Sequence, residues 1–139
     1  DDWLYGGSGD AILASIQDGR MGVMPPMGAS FDAATVDNLA NYVLSLSGAD
    51  HWPSKAAAGQ ASFALCAACH GPTGTGNQAL GAPDLTDHAW LYGGDNAAIE
   101  RTIRDGRSGV MPAWRTRLSD TDARMIAAWV YEQSRSQAR

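Results

Sequence analysis

The residues with the clearest capacity for chemistry are Cys66-Ala-Ala-Cys69-His70. Two cysteines in one CxxC suit a disulfide, half of a metal site, or a tether for a prosthetic group. The flanking residues separate these uses. Two thiols one helical turn apart can each add to a vinyl group on the same edge of a porphyrin, and the histidine that follows then lies under the iron. A closed zinc site needs four ligands, and His51 and His88, the only candidates to complete the set, follow no zinc-site spacing. A thioredoxin-like CxxC expects strand–helix–strand alternation, which the sequence lacks. A plain disulfide leaves His70 and the glycine-rich loop over 71–83 without a role. The expectation is one covalently attached haem c per chain, held at Cys66, Cys69 and His70, serving single-electron transfer rather than catalysis.

A six-coordinate iron needs a second axial ligand, and the sequence offers Met111 within Gly109-Val-Met-Pro112. This stretch is non-helical, and Pro112 stiffens the chain behind the methionine. Core filling is the ordinary use of methionine, and Met125, on a helical stripe, fits it. Met111 differs because it recurs as Met24 in a loop with no obvious need of core packing. Thioether ligation favours reduced iron and raises the potential. Pro83 can present its carbonyl to the His70 ring nitrogen, or be a simple turn proline. Trp90, Tyr92 and Arg107 can reach haem propionates, or serve as core and solvated surface. His51 and His88 read as surface histidines.

An internal repeat organises the elements that must place these groups. Trp3-Leu-Tyr-Gly-Gly7 returns as Trp90-Leu-Tyr-Gly-Gly94, and the same shift of 87 residues carries Ile12 to Ile99, Ile16 to Ile103 and Asp18-Gly-Arg20 to Asp105-Gly-Arg107. Gly22-Val-Met-Pro25 likewise matches Gly109-Val-Met-Pro112 without a gap. In each copy a short helix ends at Gly19 or Gly106. A longer one follows, capped by Asp32 in the first copy and by Ser119 with Asp122 in the second. Val36, Leu39, Tyr42, Val43 and Leu46 form the apolar stripe of the first copy, and Met125, Ile126, Trp129 and Val130 that of the second. A helix over 56–68 carries Gly59 on one face. Glycine there costs about 1 kcal/mol against alanine, so another helix is expected to cross closely, and the Trp129 helix is the expected partner.

The 139 residues carry a formal charge of −5 and a single lysine, Lys55, which argues against nucleic acid and for a basic docking partner. No apolar run reaches the roughly 18 to 20 residues needed to span a bilayer.

Together these residues resemble a class I cytochrome c and, more narrowly, the dihaem cytochrome c subunit of cbb3-type cytochrome c oxidases. The likeness runs from Asp2 to about Gln133 through Cys66-Ala-Ala-Cys-His-Gly71, Gly76-Asn-Gln-Ala-Leu-Gly-Ala-Pro-Asp-Leu-Thr86, the doubled Trp-Leu-Tyr-Gly-Gly and Asn41-Tyr-Val-Leu-Ser-Leu-Ser-Gly48. It implies an all-α fold in which 1–47 is the C-terminal half of a first cytochrome c domain, 48–55 a linker and 56–139 a complete haem domain. On that pattern the chain is an N-terminally truncated form without the family's membrane anchor and first CxxCH. His70 and Met111 are then the axial pair of the second domain, and Met24 that of the missing first haem. The resemblance further implies work at the periplasmic side of the bacterial inner membrane, with other oxidase subunits or a soluble cytochrome as redox partners. A free periplasmic cytochrome c and a haem-based gas sensor are the competing readings. Residues 3–46, one complementary half too many, could pack on a neighbouring chain as a domain-exchanged dimer, or compete for the iron through Met24.

Overall fold

Side-chain caps set where the helices begin. Ser8 Oγ accepts from the Ala11 N–H (3.2 Å), Asp32 from Thr35 (2.8 Å), Asp95 from Ala98 (2.8 Å) and Ser119 from Asp122 (3.1 Å). The computed structural model describes residues 3–137. In chain order these form α1 (Gly9–Asp18), β1 (Arg20–Met24), α2 (Ala33–Leu46), α3 (Pro53–Gln60), a 3-10 turn at Ala61–Phe63, α4 (Ala64–His70), α5 (Asn96–Asp105), β2 (Arg107–Met111) and α6 (Asp120–Gln137). No helix among them is long and apolar enough to cross a membrane.

The helix expected over 56–68 starts earlier, at Pro53, because proline suits the first helical position, where no N–H is needed. The 3-10 turn interrupts it before α4 carries the cysteines. The helical content agrees with the all-α expectation, and the structure adds to it one short pair of strands, β1 and β2, antiparallel with Gly22 opposite Gly109. Five residues of Arg-x-Gly-Val-Met are too few to announce a strand. They become one because the two copies lie alongside each other and satisfy each other's backbone groups. The register is symmetric under the repeat: Arg20 faces Met111 and Met24 faces Arg107.

The chain therefore crosses over at β1 and β2, and each long helix packs with the short helix of the other copy. One core joins Val36, Leu39, Ala40, Val43 and Leu44 of α2 to Phe63, Leu85, Ile99 and Ile103. The other joins Ile12 and Ile16 of α1 to Ala123 and Ala127 of α6. Gly59 does mark a close crossing, but the helix that crosses there is α2, not the Trp129 helix α6. A Cβ at Gly59 would overlap the Asn38 carbonyl. Tyr42 meets Phe63 edge to face at 5.1 Å. On α6, Met125 (59 % exposed) and Trp129 (65 % exposed) lie in solvent, contrary to their expected place on a buried stripe.

Polar residues decide between these two similar helices. Asp37 on α2 pairs with Lys55 at 2.5 Å, and Asn41 Oδ1 accepts the Trp52 N–H at 2.9 Å. Asn41 also donates to Asp37, and Asn96 at the start of α5 joins the same cluster. The matching α6 residues are Arg124 and Ala128. In the place of α2 they would set a like charge against Lys55 and leave the Trp52 N–H without its partner.

Candidate haem site

Cys66 and Cys69 lie one turn apart on α4, and His70 is its last residue. Both cysteines are free thiols, Cys66 half-buried and Cys69 exposed. Burial pushes the Cys66 thiol up, which keeps it neutral. The chain then turns back over the helix end. The Gly76 N–H donates to the His70 carbonyl (2.9 Å), Asn77 and Ala82 exchange backbone hydrogen bonds, and the Leu85 N–H reaches the Gly74 carbonyl (2.7 Å). Gly76 permits this fold-back because its φ is +78° and a Cβ would lie 2.7 Å from the Ala82 carbonyl oxygen.

The fold-back carries Pro83 to His70, whose Nδ1 lies 3.0 Å from the Pro83 carbonyl oxygen. A carbonyl only accepts, so Nδ1 carries a proton, and in the neutral ring the lone pair is then on Nε2. His70 is only 7 % exposed, and among the described residues Nε2 has no hydrogen-bond partner. A buried imidazole oriented by a backbone carbonyl, with a free Nε2 beside two free thiols, is the donor set that a c-type haem requires. The residues present fit the group.

The other sequence candidates fall into two groups. Trp90 packs against the core that contains Leu85 and Phe63. Arg107 lies over the exposed Tyr92 ring (4.5 Å to its centre) and donates through Nε and Nη2 to Thr102 Oγ1 (3.0 and 2.8 Å). Arg20 repeats this arrangement with Tyr5 and Ser15. Both arginines thus have structural partners at the ends of their own helices. His88 is exposed, and His51 Nδ1 bonds the Ala49 carbonyl. Met111 lies on β2 opposite Arg20 and is 41 % exposed, whereas Met24 packs against the core that borders Cys66 and Ala67.

Sequence reasoning missed the Asp37–Asn41–Lys55–Asn96 cluster that ties α2 to the haem-bearing half. The readable signal was the set of positions where the two copies differ. It also missed Tyr5, whose ring sits so close over Gly81 that a Cβ there would overlap it. With Gln78 donating to the Trp3 carbonyl (3.4 Å), that contact borders a cleft of about 400 Å³ between the first copy and the glycine-rich loop.

Residues 54–130 match the family described as cytochrome C oxidase, cbb3-type, subunit III. The cbb3-type cytochrome c oxidase subunit CcoP of Rubrivivax gelatinosus is 46 % identical over 98 % of this chain and 45 % of its own length. The corresponding subunit FixP of Azorhizobium caulinodans is 45 % identical over 94 % of this chain and 48 % of its own. The CcoP subunit of Cereibacter sphaeroides is 42 % identical over 94 % and 49 %. The chain spans about half the length of the curated relatives it matches.

Proposed function

The chain belongs to the cbb3-type cytochrome c oxidase subunit III family, and on that footing we propose that it passes single electrons through one covalent c-type haem toward a cbb3-type terminal oxidase in aerobic respiration. Cys66 and Cys69 would hold the group as thioethers, and His70 would ligate the iron through its ring nitrogen. On the sequence pattern, Met111 would supply a thioether sulfur as the second protein ligand. When bound, the haem provides the one-electron couple, and the protein's part is to hold both axial ligands fixed so that little rearranges between oxidation states. The work is done at the periplasmic side of the inner membrane, with other oxidase subunits or a soluble cytochrome as redox partners.

The observation that carries this reading is the Pro83 carbonyl at His70 Nδ1, which leaves Nε2 available beside two free thiols. A ring held this way cannot present its other tautomer without losing that bond. Pro83 therefore acts as a positioning residue through its backbone.

A pyridine haemochrome assay on the holo-protein tests the proposal. The expected result is one haem per chain that resists acid–acetone extraction and titrates reversibly with one electron, with Cys66→Ala/Cys69→Ala losing the covalent attachment. No haem, or two per chain, contradicts it.

A further inference from the structure

Charge is absent from the stretch of chain that carries the haem donors. All ten Lys and Arg and all fifteen Asp and Glu lie outside residues 56–83, although 18 % of the chain is charged. A protein surface ordinarily mixes both signs, and depletion of charge is what sets the centre of a protein contact apart from its surroundings. The charged groups at the ends of the stretch are engaged locally. Lys55 pairs with Asp37 (2.5 Å), and Asp84 Oδ1 accepts from the Thr86 N–H and hydroxyl (2.7 and 2.6 Å). From the first copy, Tyr5 meets Gly81, and Arg20 is held on the Tyr5 ring (5.0 Å to its centre) and on Ser15 Oγ (3.0 Å).

The same stretch turns apolar side chains outward. Leu65 and Cys69 are four residues apart on α4, so they share one face, and both are exposed, Leu65 by 58 %. Leu80 is 54 % exposed in the loop that the Asn77 and Ala82 backbone groups close, and the Gly76 N–H ties that loop to the end of α4. Large apolar groups exposed singly are ordinary. Here two of them accompany the thiol that would carry the haem edge, on a stretch without charge. An electron passes between proteins with a probability that falls steeply with distance, so a partner has to approach that edge closely.

Resting on the haem reading above, we propose that the face bearing Leu65, Cys69 and Leu80 is the electron-exchange surface, and that it fits a redox protein whose own exchange face is apolar and uncharged. A charged partner face would shed its hydration against a surface that offers no counter-charge, which is costly. An uncharged one only displaces water from apolar groups. The chain's charge of −5 is carried elsewhere, so the basic partner expected from net charge would be drawn to the body of the protein and not to this face. Helix α6 also exposes Met125 and Trp129, but Asp122, Arg124 and Glu132 are interleaved with them and no haem donor lies on it.

A second copy of the chain presents such a face, so electron self-exchange between oxidised and reduced holo-protein is the probe: one chain loses the electron that the other gains, with no further reactant. The rate constant is read by NMR exchange spectroscopy at about 0.15 M salt, where a Debye length of about 8 Å screens the repulsion between net charges. Leu65→Lys, Leu65→Asp and Leu80→Lys are each expected to slow exchange at least about 10-fold, whatever the sign introduced, because an unpaired charge enters the contact. Leu65→Met, and Met125→Lys on α6, should stay within about 2-fold of wild type. Faster exchange in the lysine variants of Leu65 and Leu80 would show that net charge governs docking and overturns the proposal, as do unchanged rates in those variants or equal slowing by Met125→Lys. Leu80, off the attachment helix, keeps the test open should the Leu65 variants lose haem. A second readout needs no electron transfer: in the fully reduced protein, amide shifts that move with protein concentration should cluster at 64–69 and 78–81, and clustering on α6 overturns the proposal. A haemochrome count of zero in the wild type is a separate failure, that of the haem reading itself.

Discussion

Helices α2 and α6 carry the same repeated apolar pattern and meet opposite fates. The most completely buried large side chains among the described residues, Val36, Leu39 and Asn41, are all on α2, which lies across α3 and against α5. The equivalent α6 positions are Ala123, Ile126 and Ala128, and the stripe of Met125, Ile126 and Trp129 faces solvent. Apolar periodicity decides that a helix forms and which face seeks cover. The neighbour it finds is set by a few polar and small residues: Asp37 and Asn41 answer Lys55 and Trp52, and Gly28 clears the end of α5. Arg124, Ala128 and Arg115 answer none of these.

The sharpest way to break the comparison is to truncate equivalent residues. Leu39→Ala is expected to cost about 2–5 kcal/mol by denaturant unfolding of the holo-protein, through lost burial and the cavity left behind. Ile126→Ala, its counterpart at a partly exposed site, should cost only about 0.5 kcal/mol. Equal costs would mean that α6 covers the haem-bearing half in solution. Gly59→Ala comes next: pushing a methyl into the Asn38 backbone should destabilise by about 1–3 kcal/mol. Gly9→Ala, in open space on the first turn of α1, should be neutral or stabilise by about 0.4–1 kcal/mol in the same assay.

The smallest expected effect belongs to the Asp37–Lys55 pair, because both side chains are partly solvated. A double-mutant cycle with Asp37→Asn and Lys55→Met should give a coupling of about 0–1 kcal/mol. Its pH dependence is more telling than its size. The Lys55 ammonium, hydrogen-bonded to Asp37, holds that carboxyl below its ordinary value of 3.8, with the Asn96 and Asn41 amides adding to the effect. A depressed carboxylate contributes stability that is fully present above its unfolded value and is lost as pH falls through the folded one. The advantage of wild type over Asp37→Asn should therefore be complete above about pH 4 and fade below it. A gap that does not change with pH would sever the link between this pair and the α2–α3 crossing.

Local features were legible in the residues. The Cys66, Cys69 and His70 spacing raises the expectation of haem attachment. Pro83, read either as the carbonyl facing His70 or as a turn proline, does lie against His70 Nδ1, and Asp32, Ser119, Gly19 and Gly106 mark helix ends. These features are local, decided within a turn or a loop. The partner of α3 was not legible, because two helices with the same period competed for it. The choice depends on Lys55 and Trp52 facing Asp37 and Asn41, a juxtaposition that exists only after folding. The strands were hidden for a similar reason, since β1 has no pairing until β2, distant in sequence, lies beside it. Met125 and Trp129 show the cost of reading burial from pattern alone: an apolar stripe states a need for cover without naming what supplies it.

The central claim is that the first copy, not the second, completes the haem-bearing half. Aromatic NOEs in the reduced holo-protein test it most directly, because Phe63 lies on the haem-bearing side and the competing helices offer Tyr42 and Trp129 at equivalent positions. The account predicts strong cross-peaks between the Phe63 and Tyr42 rings, whose centres lie 5.1 Å apart, and none from Phe63 to Trp129. Cross-peaks between Phe63 and the Trp129 indole, with Tyr42 silent, would contradict it.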